Sequence, residues 1–188
     1  MIDGSGSIVN PSWGGEHYNW DIIKDFILVL GNGLNISEDE SHAAVVVFSD
    51  DANLEIKFSD ATNYEDFETL VKKLPHPQGN TYALKGFDMA LNHMFDVSNG
   101  MRSNVPQTLI YITDGDCDSD GCGSQMVSWG QRFDNRRIKR IGIGIGTDIS
   151  KQQMVDFVGQ ENFVQKLHFN QLLTKDFRRN LSLCEEGE

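Results

Sequence analysis

Met1-Ile2-Asp3-Gly4-Ser5-Gly6-Ser7 opens the chain. An apolar stub is followed by a carboxylate and then by two hydroxyls at alternate positions. Glycine bends without steric penalty, so Asp3, Ser5 and Ser7 can turn three oxygens toward one point. Oxygens of this kind suit a hard divalent cation such as Mg²⁺. If Met1 and Ile2 end a strand, the loop lies at a strand's carboxyl end, where open α/β sheets bind ligands.

Outward from that loop, strand and helix signals alternate. Ile8 to Tyr18 is rich in Gly, Asn and Pro and reads as a loop. Trp20 to Leu30 has helical spacing, with Ile22, Ile23, Phe26, Ile27 and Leu30 on one face. Ala43 to Phe48 is a continuous apolar run, as in a strand buried on both faces of a parallel sheet. Leu54 to Phe58 alternates and predicts a half-exposed antiparallel edge strand. Helices follow over Tyr64 to Leu74 and Thr81 to Phe95, then a buried strand Thr108 to Thr113. A loop from Asp116 to Ser124 leads to a helix over Gln125 to Asn135. Ile138 to Gly146 and Phe163 to Phe169 read as strands, Lys151 to Val158 and Gln171 to Leu183 as helices. The alternation predicts an α/β fold: a doubly wound, mostly parallel sheet with one antiparallel edge strand and helices on both faces.

Three loops then converge. Asp3 to Ser7 follows the first strand, Asp114-Gly115 follows the strand ending at Thr113, and Gly79-Asn80-Thr81 opens a helix. The carboxyl ends of parallel strands share one edge of a doubly wound sheet. Two carboxylates and three hydroxyls, with waters, complete an octahedral shell for Mg²⁺.

The bulk properties are those of a folded domain of 188 residues, 39% hydrophobic and 23% charged. A formal net charge of −12 argues against nucleic acid as a partner. No apolar run reaches the roughly 20 residues that cross a bilayer. A strand needs about five residues and only Met1 and Ile2 precede Asp3, so the first strand is expected to be truncated and the chain to be an excised domain. Cys117 and Cys122 are close enough for a local bridge, while Cys184 needs a partner elsewhere. Asn35-Ile36-Ser37 and Asn180-Leu181-Ser182 match the N-glycosylation acceptor pattern and point toward secretion.

On the loops quoted above, the chain resembles a von Willebrand factor A domain, a Rossmann-like fold. The family's metal-ion-dependent adhesion site carries Asp-x-Ser-x-Ser, a distant Thr after a Gly-rich turn, and an Asp in a Thr-Asp-Gly turn; Asp3, Ser5, Ser7, Thr81 and Asp114 match it here. Phe169-Asn170-Gln171-Leu172 leading to Cys184 is similar to extracellular members whose terminal cysteines pair. The resemblance implies one domain over 1–184 with an acidic tail at 185–188, and a bound Mg²⁺, with Mn²⁺ or Ca²⁺ as substitutes. It implies neutral hydroxyl ligands from Ser5, Ser7 and Thr81, carboxylates acting in part through water, and an open metal position for a Glu or Asp of a protein ligand. Collagen or another matrix protein is such a ligand, and the location is extracellular, as a secreted protein or an ectodomain. In related integrin domains ligation is coupled to movement of the last helix, whose place Gln171 to Leu183 takes. The chain departs from the family in having Ala83 where a second Thr is common, and a loop Val9 to Tyr18 longer than in integrin inserted domains.

Each residue also has a plainer reading. Thr81 suits a helix N-cap and Asp114 a turn. Asp116 to Gly121 mimics the start of an EF-hand, but its twelfth position is Val127 instead of Glu, which favours a solvated acidic loop. The five histidines lack paired spacing and read as surface or filler. Gly142, Gly144 and Gly146 lack the dinucleotide-binding layout. Trp20 and Trp129 read as packing residues, and Trp13 as packing or a border of the metal face. Arg136, Arg137, Lys139 and Arg140 read as a solvated edge. A structural scaffold role with little metal dependence is the alternative function. Phosphoryl chemistry on Asp3 ranks below both, because no general base, catalytic Lys or phosphate-cradling loop accompanies it.

Overall fold

The computed structural model describes residues 1–11, 15–115, 117, 121–175 and 177. In chain order its regular elements are β1 (Ile2–Asp3), α1 (Asn19–Gly33), β2 (Val45–Phe48), β3 (Ala52–Ile56), α2 (Tyr64–Lys72), α3 (Ala83–Met89), β4 (Gln107–Thr113), α4 (Met126–Asn135), β5 (Ile138–Ile145), α5 (Lys151–Val158) and β6 (Phe163–Lys166). The strands form one sheet in the order β3-β2-β1-β4-β5-β6. Every neighbouring pair is parallel except β2 and β3, so the antiparallel edge strand expected over Leu54 to Phe58 is present, but it lies two residues earlier, at Ala52–Ile56.

Every residue of β2 is buried, because helices cover both faces of the sheet. Successive side chains point to opposite faces. Val45 and Val47 join a core with α1 and α2, while Val46 and Phe48 join one with α3, α4 and α5. Ile141, Ile143 and Ile145 of β5 fill the first core. Gly142 and Gly144 lie between them and let α5 and the loop before it approach. A Cβ on Gly142 would sit 2.8 Å from Met154 Cε, and one on Gly144 would sit 3.0 Å from Ile149 Cγ2.

The structure corrects several sequence expectations. The helix expected over Thr81 to Phe95 begins at Ala83 and becomes a π turn over Ala90–Met94, closed by Phe95 N–H donating to Ala90 C=O. Ala90, Leu91, Met94 and Phe95 are all buried in this turn. The Arg136 guanidinium donates to the Leu91 and Phe95 carbonyls that this turn leaves. Arg140 lies along Phe157 C=O, Gly130 C=O and Asp134, with only 10% of its side chain exposed. Arg140 is therefore a largely covered structural tie where a solvated edge was expected, while Arg136 makes its ties from an exposed position. The last strand stops at Lys166, and Phe169–Leu173 forms a 3₁₀ turn where the start of the closing helix was expected. Most of that expected helix, Asn180 and Cys184 lie outside the described residues, as do Trp13 and most of the EF-hand-like loop. Cys117 and Cys122 are joined by a disulfide, with Cα atoms 5.4 Å apart.

Phe157 is the hub of the second core. It is fully buried, stacks on Phe87 at 4.2 Å and meets Tyr111 and Phe133 edge-on. Phe157→Ala should destabilise the protein by about 3–5 kcal/mol, lowering the melting temperature by roughly 6–20 °C. Thermal denaturation followed by circular dichroism checks this; a drop under about 2 °C would contradict the packing.

Candidate metal centre

The strand order reverses direction between β1 and β4. In open α/β sheets that reversal leaves a crevice at the carboxyl ends of the strands. Asp3 is the last residue of β1, and Asp114 directly follows β4, so the two carboxylates flank the crevice. Gly4 then leaves the strand through its N–H, which donates to Phe48 C=O at 2.8 Å. A Cβ there would sit 2.8 Å from Pro77 Cδ and 2.9 Å from Val47 Cγ1, so only glycine fits.

Four of the five expected residues form one hydrogen-bonded chain. Ser5 N–H donates to Asp3 Oδ1 at 2.9 Å. Ser5 Oγ and Ser7 Oγ are 2.9 Å apart, and Ser7 Oγ donates to Asp114 Oδ1 at 2.8 Å. Each hydroxyl has a single proton. Ser7 gives its proton to Asp114, and the Ser5 hydroxyl lies against both the Ser7 hydroxyl and the Asp3 carboxyl. Thr81 is outside this chain of bonds, and the segment before it is tied to the loop through backbone. Gly6 N–H donates to Gly79 C=O at 2.9 Å, Gln78 N–H donates to Gly4 C=O at 2.9 Å, and half-buried Thr81 follows two residues after Gly79. The N-cap of α3 is Tyr82, so Thr81 does not occupy the capping position expected for it.

Charge is the distinctive property of the cluster. Asp3 is fully buried and Asp114 largely so. Burial pushes the Asp3 carboxyl above its ordinary value, against the lowering by its bonds from Thr113 and Ser5. Burial, and then the Asp3 carboxylate, push Asp114 up to about 7. The side chains bonded to the pair are Ser5, Ser7 and Thr113, all neutral. Two desolvated carboxylates bonded only to neutral groups favour a cation between them. Among the described residues no three His, Cys, Asp or Glu side chains gather as a metal-ligating group. A cation here would therefore rely on hydroxyl oxygens, a hard donor set that fits Mg²⁺ better than a soft metal. Beside Asp114 opens a cleft of about 320 Å³ lined by Glu16, Tyr18, Asn19, Asp148, His168 and Phe169.

Sequence reasoning missed the residues that hold this arrangement. Thr113 Oγ1 donates to Asp3 Oδ2 at 2.6 Å; its place before Asp114 in the Thr-Asp-Gly turn was the available signal. Ser49, buried at the end of β2, accepts from Gly79 N–H at 2.8 Å and donates to Asn80 C=O at 3.1 Å. Asn19, buried at the start of α1, donates to Ile8 C=O at 2.9 Å. His76 is half-buried, where the histidines were expected to be surface or filler residues. Its Nε2 lies 3.2 Å from Ser5 C=O and its ring stacks on Trp20.

Comparison with known proteins identifies the family. The family model of the von Willebrand factor type A domain matches residues 1–179. Matrilin-1 of Gallus gallus is 29% identical over 115 residues, which is 61% of this chain and 22% of that protein. The collagen alpha-5(VI) chain of Homo sapiens is 29% identical over 167 residues, 87% of this chain and 6% of that protein. The chain thus spans less than a quarter of the length of either relative. Among solved structures, proximal thread matrix protein 1 from the mussel byssus, with its MIDAS motif occupied by zinc, superposes with a TM-score of 0.80. It is 19% identical, and the match covers 97% of this chain and 46% of that one, a likeness of fold. The chain belongs to the von Willebrand factor type A domain family.

Proposed function

We propose that this domain is an extracellular adhesion module that holds a divalent cation, Mg²⁺ in the first place, and through it an acidic group of a protein ligand. The observation that carries the reading is the Asp3–Asp114 pair, the first fully and the second partly buried, joined through Ser5 and Ser7 and bonded only to neutral groups. Ser5, Ser7 and Thr81 hydroxyls with the Asp3 and Asp114 carboxylates would hold the ion. Bound there, a cation supplies a Lewis-acidic position that a Glu or Asp from a partner can take. The chain's own groups do the rest. Thr113 and the Ser5 N–H keep Asp3 oriented, and the Ser7 hydroxyl keeps Asp114 turned inward. The cleft beside Asp114 leaves room for the partner's flanking residues.

Matrilin, collagen and byssal matrix relatives support a matrix protein, collagen included, as the ligand class. They also support a secreted protein or ectodomain as the setting and a binding role instead of catalysis. No helix among the described residues is long and apolar enough to cross a membrane. Asn35 of the acceptor tripeptide is exposed at the end of α1. One domain over 1–184 with an acidic tail at 185–188 belongs to the same proposal.

Two measurements test it. Mg²⁺ at ten times its dissociation constant should add about 1.4 kcal/mol over EDTA, a shift of roughly 3–6 °C in melting. Asp3→Ala should fold and lose the shift, and a shift that survives this substitution would sink the proposed ligand set. The pH profile of the EDTA-treated protein gives the second test. Asp114 titrates near 7 when folded, above the ordinary 3.8, so the folded state binds more protons in that window. Its contribution to stability is full below about pH 4 and disappears as pH rises through about 7. Asp114→Asn should flatten the fall in melting temperature between these values, and the Mg²⁺ shift of the natural protein should grow with pH. An Asp114→Asn profile parallel to that of the natural protein would contradict the assignment.

A further inference from the structure

His76 sits outside the five proposed ligands, yet it holds the peptide group on which two of them turn. Ser5 lies between Gly4 and Gly6, so the flanking residues place little restraint on the orientation of the Ser5–Gly6 peptide plane. Both ends of that plane are tied to one segment. The Ser5 carbonyl is 3.2 Å from His76 Nε2, and the Gly6 N–H donates to Gly79 C=O at 2.9 Å. A carbonyl can only accept, so the Nε2 nitrogen carries the proton.

The imidazole is itself fixed. It lies flat on the Trp20 indole, with ring centroids 4.6 Å apart and planes 13° from parallel. Trp20 is buried in the first turn of α1, and its Nε1 donates to Leu74 C=O at 3.4 Å. Trp20 thus grips the 74–76 segment twice, once through a carbonyl and once through the ring. Rotating the Ser5–Gly6 plane would break both of its ties and would re-aim Ser5 Oγ and Ser7 Oγ on either side.

We propose that His76 is a positioning residue: stacked on Trp20, it holds the Ser5–Gly6 peptide plane in the orientation that aims the Ser5 and Ser7 hydroxyls at the cation. The proposal rests on the reading of Asp3, Ser5, Ser7, Thr81 and Asp114 as a metal site. His76→Phe keeps a flat ring on Trp20 and removes the donor, whereas His76→Gln keeps an N–H donor and removes the ring.

The test is a Mg²⁺ titration by calorimetry, paired with melting in EDTA and amide exchange at Gly6. His76→Phe should weaken Mg²⁺ binding about five- to tenfold while its melting in EDTA stays within about 2 °C of the natural protein. Gly6 should exchange faster in this variant without any metal. His76→Gln should recover most of the affinity. Natural affinity in His76→Phe overturns the proposal, and so does a loss that His76→Gln does not recover. If the natural protein shows no Mg²⁺ response at all, the metal reading fails, and the role given to His76 fails with it, even if Gly6 still exchanges faster in His76→Phe.

Discussion

Two carboxylates are desolvated side by side at the point where this sheet changes direction. Ionised together without a counter-charge, Asp3 and Asp114 oppose the fold that buries them, and each is pushed toward its protonated form. Their bonded neighbours soften this without cancelling it. A hydroxyl or backbone N–H gives a carboxylate one proton to lean on and no net charge. A small cation with several oxygen ligands would resolve the conflict, and neutral hydroxyl ligands would leave much of its charge for a partner's carboxylate. In the proposed function, adhesion and the cost of burying the acid pair would have one origin.

The loops around the pair are held by groups that do not belong to the cluster. Ser49 ties the end of β2 to Gly79 and Asn80, Asn19 ties α1 to Ile8, and His76 ties the segment before Thr81 to Ser5. Each is a polar side chain whose partner is a main-chain group of another loop. Strand ends and helix starts thereby become one rigid edge. The same logic explains why Gly4 cannot carry a side chain: Pro77 and Val47 already occupy the space.

The fold was legible because its signals are strong and periodic. Val45 to Phe48 is apolar at every position, Ala52 to Ile56 is half-exposed at the sheet edge, and Lys151 to Val158 has the helix bounds expected of it. The candidate site was legible because its residue types are unusual together: carboxylate, hydroxyl and glycine in strict alternation at a strand end. What stayed hidden depends on tertiary contact. The π turn at Ala90–Met94 is held by Arg136, a tie from a distant segment that no local preference encodes. Thr81 looks like a helix cap in sequence, but the helix starts two residues later. His76 looks like any other lone histidine until Trp20 and Ser5, far away in sequence, are placed against it.

Crystals of the protein grown with Mn²⁺ and recorded at the manganese absorption edge would test the central claim most directly. The anomalous peak should fall within coordination distance of the Ser5, Ser7 and Thr81 hydroxyls, between the Asp3 and Asp114 carboxylates. A fully occupied manganese elsewhere on the chain, with the acid pair bridged only by protons, would contradict it.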